Sequence, residues 1–178
     1  ASDVYKRQIE VFGNAQDAAG DTMNAGSIIV HGSCGDAAGY AMRGGRIFVN
    51  GDVGYRAGIH MKEYKEKSPV LVVGGSAGSF LGEYQAGGTI LVLGIERRKP
   101  VGNFCGVGMH GGQIFLRCDA PPADLPGQVT AVKASEEDMQ AIEAYVDEFC
   151  RAFGRKKVQI MNKDFYALRP DSKNPYTP

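Results

Sequence analysis

Glycine returns in this chain at a fixed interval, and that interval limits the folds open to it. Gly20, Gly39, Gly58, Gly82 and Gly106 occupy one equivalent position, with separations of 19, 19, 24 and 24 residues. Gly35, Gly54, Gly78 and Gly102 form a second column, and Gly26, Gly45, Gly88 and Gly112 a third, where Pro69 stands in the missing place. Met23, Met42, Met61 and Met109 make a fourth, completed by Gln85. A unit of 19 residues therefore repeats, lengthened on two occasions by five residues. Such a period marks a stacked architecture in which each unit buries its apolar face against its neighbours.

After the third column the chain reads Ser27-Ile28-Ile29-Val30, Arg46-Ile47-Phe48-Val49, Val70-Leu71-Val72-Val73, Thr89-Ile90-Leu91-Val92 and Gln113-Ile114-Phe115-Leu116. Residue type makes each a β-strand. Period-two geometry sets Ile28, Ile47, Leu71, Ile90 and Ile114 on one side, with Val30, Val49, Val73, Val92 and Leu116 two residues on. These are two inward ladders. Nineteen residues leave no room for a crossover helix, which a βαβ unit of about 30 residues needs. The expected fold is all-β: a single-stranded, right-handed parallel β-helix over residues 9–118, with glycine at its corners because glycine tolerates positive φ and close backbone approach. The charged insertions over residues 62–67 and 95–100 should bulge outward. Within the second, Arg97, Arg98 and Lys99 form a basic triplet that suits either solvent or an acidic or phosphate-bearing partner.

Beyond Cys118 the repeat stops, and Ala120-Pro121-Pro122-Ala123-Asp124-Leu125-Pro126-Gly127 opens a linker over 119–134. Ser135 and Asp138 form a capping-box-like start to a helix over 135–154 that ends at Gly154. Met139, Ile142, Val146, Phe149 and Phe153 fall on one face, with Tyr145 beside them, facing the flank of the stack or a partner subunit. A tail follows over 155–178, with Val158-Gln159-Ile160-Met161 extended. Residues 1–8 resemble a translated adapter and are expected to be a non-native leader.

Twenty basic residues balance twenty acidic ones, which gives no reason to expect a nucleic acid or an anionic membrane as partner. No apolar run is long enough to span a bilayer. Cys34, Cys105, Cys118 and Cys150 show no metal-ligand spacing and are expected to be reduced thiols in a cytoplasmic protein. Gly74-Gly75-Ser76-Ala77-Gly78 spells the G-x-S-x-G of a hydrolase elbow, with His110 downstream as a possible base. Yet the elbow must launch a helix, and Gly82, Gly87 and Gly88 follow at once. Gly106-Val107-Gly108-Met109-His110-Gly111 spells a dinucleotide fingerprint, but a strand follows where a helix is required. His31, His60 and His110 share no carboxylate-rich neighbourhood. No catalytic, cofactor-binding or metal-ligating residue is therefore expected in this chain.

The glycine columns from Ile9 to Cys118 resemble the GXGXG domain, the β-helical carboxy-terminal domain of the large glutamate synthase subunit. The stretch over residues 52–64 looks most like the version of this domain that stands alone as a third-domain polypeptide, and residues 158–165 are similar to the tail beyond the helix. Relatives of the domain occur within formylmethanofuran dehydrogenase. The resemblance implies a scaffold in glutamate biosynthesis whose partners are a glutaminase with an amino-terminal cysteine nucleophile and a synthase bearing FMN and an iron–sulfur cluster. It also implies a copy truncated before residue 9. A scaffold of the formylmethanofuran dehydrogenase type is the alternative, and a serine hydrolase using Ser76 is the reading from another class.

If the glycines occupy bends, Gly39→Val should lower the melting temperature well beyond Arg98→Ala, because one substitution forces a side chain into a corner and the other trims an exposed loop. Equal melting temperatures would count against the stacked repeat.

Overall fold

The structure, a computed structural model, describes residues 7–171. Six parallel strands are laid down in sequence order: β1 Gln8–Val11, β2 Ser27–Val30, β3 Arg46–Val49, β4 Val70–Val73, β5 Ala86–Val92 and β6 Gly111–Arg117. Ile28, Ile47, Leu71, Ile90 and Ile114 are successive partners across them, and so are Val30, Val49, Val73, Val92 and Leu116. The five-residue insertions do not disturb this register. The expected ladders are present.

The expected all-β, right-handed parallel β-helix is not. The strands form one open mixed sheet of eight, in the order β1-β2-β3-β4-β5-β6-β8-β7, and two helices accompany it: α1 Glu136–Phe153 and α2 Lys157–Met161. The parallel run ends because the chain turns back. β8, Phe165–Pro170, pairs antiparallel with β6, and β7, Val129–Lys133, pairs antiparallel with β8. Between the strands the units run through turns joined by single hydrogen bonds and isolated parallel bridges such as Ala15↔Cys34, Val53↔Ala77 and Ala77↔Val101, too sparse to make further sheets.

The carboxy-terminal third also differs from expectation. β7 lies in the stretch expected to be a linker, and α2 replaces the extended segment expected over residues 158–161. Arg117 explains the latter: its guanidinium donates to the Gln159 and Ile160 carbonyls at 3.0 and 2.8 Å, satisfying helix-end acceptors while Ile160 is buried. Of the expected leader, residues 1–6 lie outside the described residues, whereas Gln8 pairs with Ser27 at the start of β1. Residues 172–178 of the tail also lie outside them.

Both faces of the central strands are buried, which is why they read as continuous apolar runs. Ile47, Val49, Leu71, Val73, Ile90 and Val92 face the turns of the units with Met42, Met61 and Met109. Phe48, Val70, Val72, Leu91 and Phe115 face the other way, against Ile142, Val146 and Phe149 of α1 and Ile160 of α2. The helix stripe thus packs on the sheet. Its start is fixed by the capping box, with the Asp138 N–H donating to Ser135 Oγ and the Ser135 N–H to Asp138 Oδ2, and its end by Gly154 at φ 63°.

Two corners of each unit are left-handed, and except for Gly108 in the last unit the residues there are not glycine. Ala18, Ala37, Arg56, Phe80 and Phe104 have φ of 56–62°, and Thr22, Ala41, His60 and Tyr84 have φ of 52–56°. Each conformation costs about 1–2 kcal/mol in a non-glycine residue. What holds it is a hydrogen bond to the next unit: Ala18 to the Asp36 carbonyl, Ala37 to Tyr55, Arg56 to Ser79 and Phe80 to Asn103, at 2.8–2.9 Å. Thr22, Ala41, His60 and Tyr84 donate forward in the same manner, to Tyr40, Ile59, Glu83 and Val107.

Close approach of successive units sets the glycine requirement elsewhere. A Cβ on Gly74 would lie 2.3 Å from the Asn50 carbonyl oxygen and 2.7 Å from Phe149 of α1. One on Gly127 would meet nothing. Gly74→Ala should therefore cost about 1–3 kcal/mol through overpacking, and Gly127→Ala no more than about 0.5 kcal/mol. Urea unfolding midpoints read the difference, and indistinguishable midpoints would refute the close approach.

Candidate functional site

Ser76 is the residue with the strongest claim to chemistry in the sequence, and its surroundings explain it otherwise. It belongs to a column of polar residues, Asn14, Ser33, Asp52 and Ser76, in which each of the first three side chains caps the next unit. Asn14 Oδ1 accepts from the Ser33 N–H at 2.8 Å, Ser33 Oγ from the Asp52 N–H at 3.0 Å, and Asp52 Oδ1 from the Ser76 N–H at 2.7 Å. The next member is Pro100, which has no N–H to offer. The Ser76 hydroxyl instead donates back to Asp52 Oδ1 at 3.3 Å. A nucleophilic serine needs a base as acceptor of its proton. Asp52 is a poor one, since it is paired with Arg97 through Nε to Oδ1 at 2.9 Å and Nη2 to Oδ2 at 3.2 Å. Burial raises the Asp52 pKa, but the Arg97 hydrogen bond, the Ser76 N–H and the Arg97 charge outweigh it and hold the carboxyl below its usual range.

His110 is not brought to Ser76. Its Nδ1 lies 3.1 Å from the Gly108 carbonyl oxygen in the following unit. The fingerprint-like run around it has Gly106 and Gly108 at φ 76° and 69° and leads into β6 at Gly111, so no helix terminus stands ready for a pyrophosphate. His60 stacks on Tyr84 at 5.2 Å and meets Tyr40 edge-on. His31 lies 2.7 Å from Glu10 Oε1, stacks on Phe12 and meets Phe153 of α1 edge-on. The three histidines thus sit in separate contacts, and among the described residues no group of three His, Cys, Asp or Glu stands close enough to hold a metal ion.

All four cysteines are free. Burial pushes the Cys105 thiol up to about 12 and the Cys34 thiol to about 11, and it raises Cys118 and Cys150 as well. None is a ready thiolate at neutral pH.

Two features were missed in the sequence. The first is Arg97, read as part of a basic triplet but folded back onto Asp52, two units away. The second is a row of exposed or half-buried side chains on the left-handed corners: Arg56 Nε donates to Glu83 Oε2 at 3.0 Å and covers the Phe80 ring, which stacks on Phe104 at 5.2 Å. A column count two residues before each glycine of the first column would have found this row. No described helix is long and apolar enough to cross a membrane.

Asp52 carries a pH prediction. A carboxyl whose folded pKa is depressed contributes stability that is fully present above its unfolded value of about 4 and lost as pH falls through the folded value. The gap in urea midpoint between wild type and Asp52→Asn should therefore shrink as pH drops below about 4. A gap unchanged through that range would show that the carboxylate charge is immaterial.

A family model described as the GXGXG motif matches residues 6–172. The chain is also 46% identical over 176 residues to an uncharacterized protein of Methanocaldococcus jannaschii, in a match that takes in 94% of this chain and 67% of that protein.

Proposed function

We propose that this chain, which belongs to the GXGXG motif family, is a non-catalytic scaffolding domain or subunit of a glutamate synthase, acting in the cytoplasm. On this reading it organises a glutaminase and a synthase bearing FMN and an iron–sulfur cluster, and the chemistry belongs to those partners. The observation that supports it most is the use to which the chain puts its reactive letters. Asp52 and Ser76 bind the neighbouring unit and Arg97, the glycines of the fingerprint-like run stand at turns leading into β6, and Cys34, Cys105 and Cys118 are buried with raised pKa values. Side chains so engaged make a rigid body, which is what a scaffold requires. Unpaired buried thiols also favour a reducing compartment.

Co-expression with candidate glutaminase and synthase polypeptides tests the proposal. The chain should co-purify with them, and alone it should neither deamidate glutamine nor oxidise NAD(P)H in the presence of 2-oxoglutarate. Turnover by the isolated chain would defeat the reading, and a molybdenum or tungsten subunit purifying in place of those partners would move the scaffold to the formylmethanofuran dehydrogenase type. A serine-directed covalent probe should leave Ser76 unlabelled.

A further inference from the structure

Helix α1 runs across the strands and is gripped at both of its ends. At its start Asp138 Oδ1 accepts from Arg169 Nη2 of β8 at 2.6 Å, and the same guanidinium donates to Gln113 Oε1 of β6 at 3.0 Å. Along its middle, Ile142, Val146 and Phe149 are fully buried against the sheet, and Glu148 pairs with Arg46 of β3. At its end Phe153 meets edge-on the ring of His31, the residue that follows β2, at 5.2 Å. Just past the helix, Arg155 donates to Asn50 Oδ1 at 3.1 and 3.3 Å, and Asn50 Nδ2 donates in turn to the His31 carbonyl at 3.2 Å. The dimensions agree with these contacts. The 18 residues of α1 reach about 27 Å. β2 and β8 stand five strand spacings apart in the sheet, which is about 24 Å.

We infer that α1 is a brace, sized to the stack, that makes the units from β2 to β8 open together. In a stack held by neighbour contacts alone, an end unit opens without disturbing the far end, because each unit touches only the next. Here the opening of β2 strips Phe153 and Arg155 of their partners. Phe153 packs edge-on against Phe149 at 5.0 Å, and the Phe149 ring lies beside Gly74 at the end of β4. Loss at one end of the helix is thus passed to its buried middle. The brace acts along the stack, which the insertions do not. Extra residues over 62–67 and 95–100 lengthen a unit sideways, whereas a whole extra unit would carry His31 and Asn50 about 4.8 Å beyond the helix end. The length of α1 therefore sets how many units it can tie together. This coupling rests on contacts within the chain and is independent of the scaffold reading above.

Amide hydrogen exchange of the whole chain, followed residue by residue by NMR, tests the brace. In wild type the slow amides of β2 and β5 should exchange through one common opening, with protection factors within about threefold of each other and the same urea dependence. Phe153→Ala/Arg155→Ala should separate them, lowering protection in β2 at least about tenfold more than in β5. Ile90→Val, inside the stack on the face away from the helix, should lower both by the same factor to within about twofold. If the double variant does not fold, Arg155→Ala alone gives the same reading, with a separation of about threefold or more. Protection that falls equally in β2 and β5 once the helix end is released overturns the inference, because the helix then adds stability without coupling. Separate openings already present in wild type overturn it too. So does an equally large separation in Ile90→Val, which would mean that any weakening uncouples the units.

Discussion

The forward hydrogen bond from each left-handed corner residue to the carbonyl one unit further on holds the molecule in register. Ala18, Ala37, Arg56 and Phe80 make it at one corner and Thr22, Ala41, His60 and Tyr84 at the other. Each bond fixes a strained backbone and ties one unit to the next, so local conformation and stacking depend on each other. Without the neighbour the corner has no reason to stay left-handed, and without the corner the strands lose the alignment that superimposes Ile47, Leu71 and Ile90. Stability of this kind belongs to interfaces between units more than to any unit alone.

Much of the parallel sheet was legible because its signal is redundant. The columns and the apolar runs point to the same strands, and Ile47 and Leu71 fall opposite one another although five extra residues separate their units. The overall class was not legible. Nothing local in Phe165–Pro170 announces that it will pair antiparallel with β6, since that choice depends on tertiary fit. The run Val158-Gln159-Ile160-Met161 misled for a related reason: its residue types suit a strand, but Arg117 from a distant element supplies the acceptor satisfaction that lets it close into a helix. The left-handed Phe80 and Tyr84 escaped notice because glycine is the residue one looks for at positive φ, and here hydrogen bonds substitute for it.

The same repeat that makes the fold readable produces false catalytic letters. Glycines placed by unit geometry generate G-x-S-x-G and G-x-G-x-x-G by chance, because each unit needs several small residues within a few positions. Context separates them from true motifs. The serine faces a carboxylate already held by an arginine, and the glycine run feeds a strand. A motif inside a repeat is best compared with its column before it is compared with an enzyme.

The insertion over residues 62–67 leaves β3 to β4 as regular as β2 to β3, and the one over residues 95–100, between β5 and β6, keeps Thr89–Val92 in register with Gln113–Leu116, although that pair shifts between Ala86 and Thr89. Chain length at those points is thus decoupled from the scaffold beneath. One insertion, over residues 62–67, lies largely in solvent, while the other has been recruited to clamp Asp52. The first is accordingly a natural graft site, where a foreign peptide could be displayed on a rigid support with both of its ends already anchored.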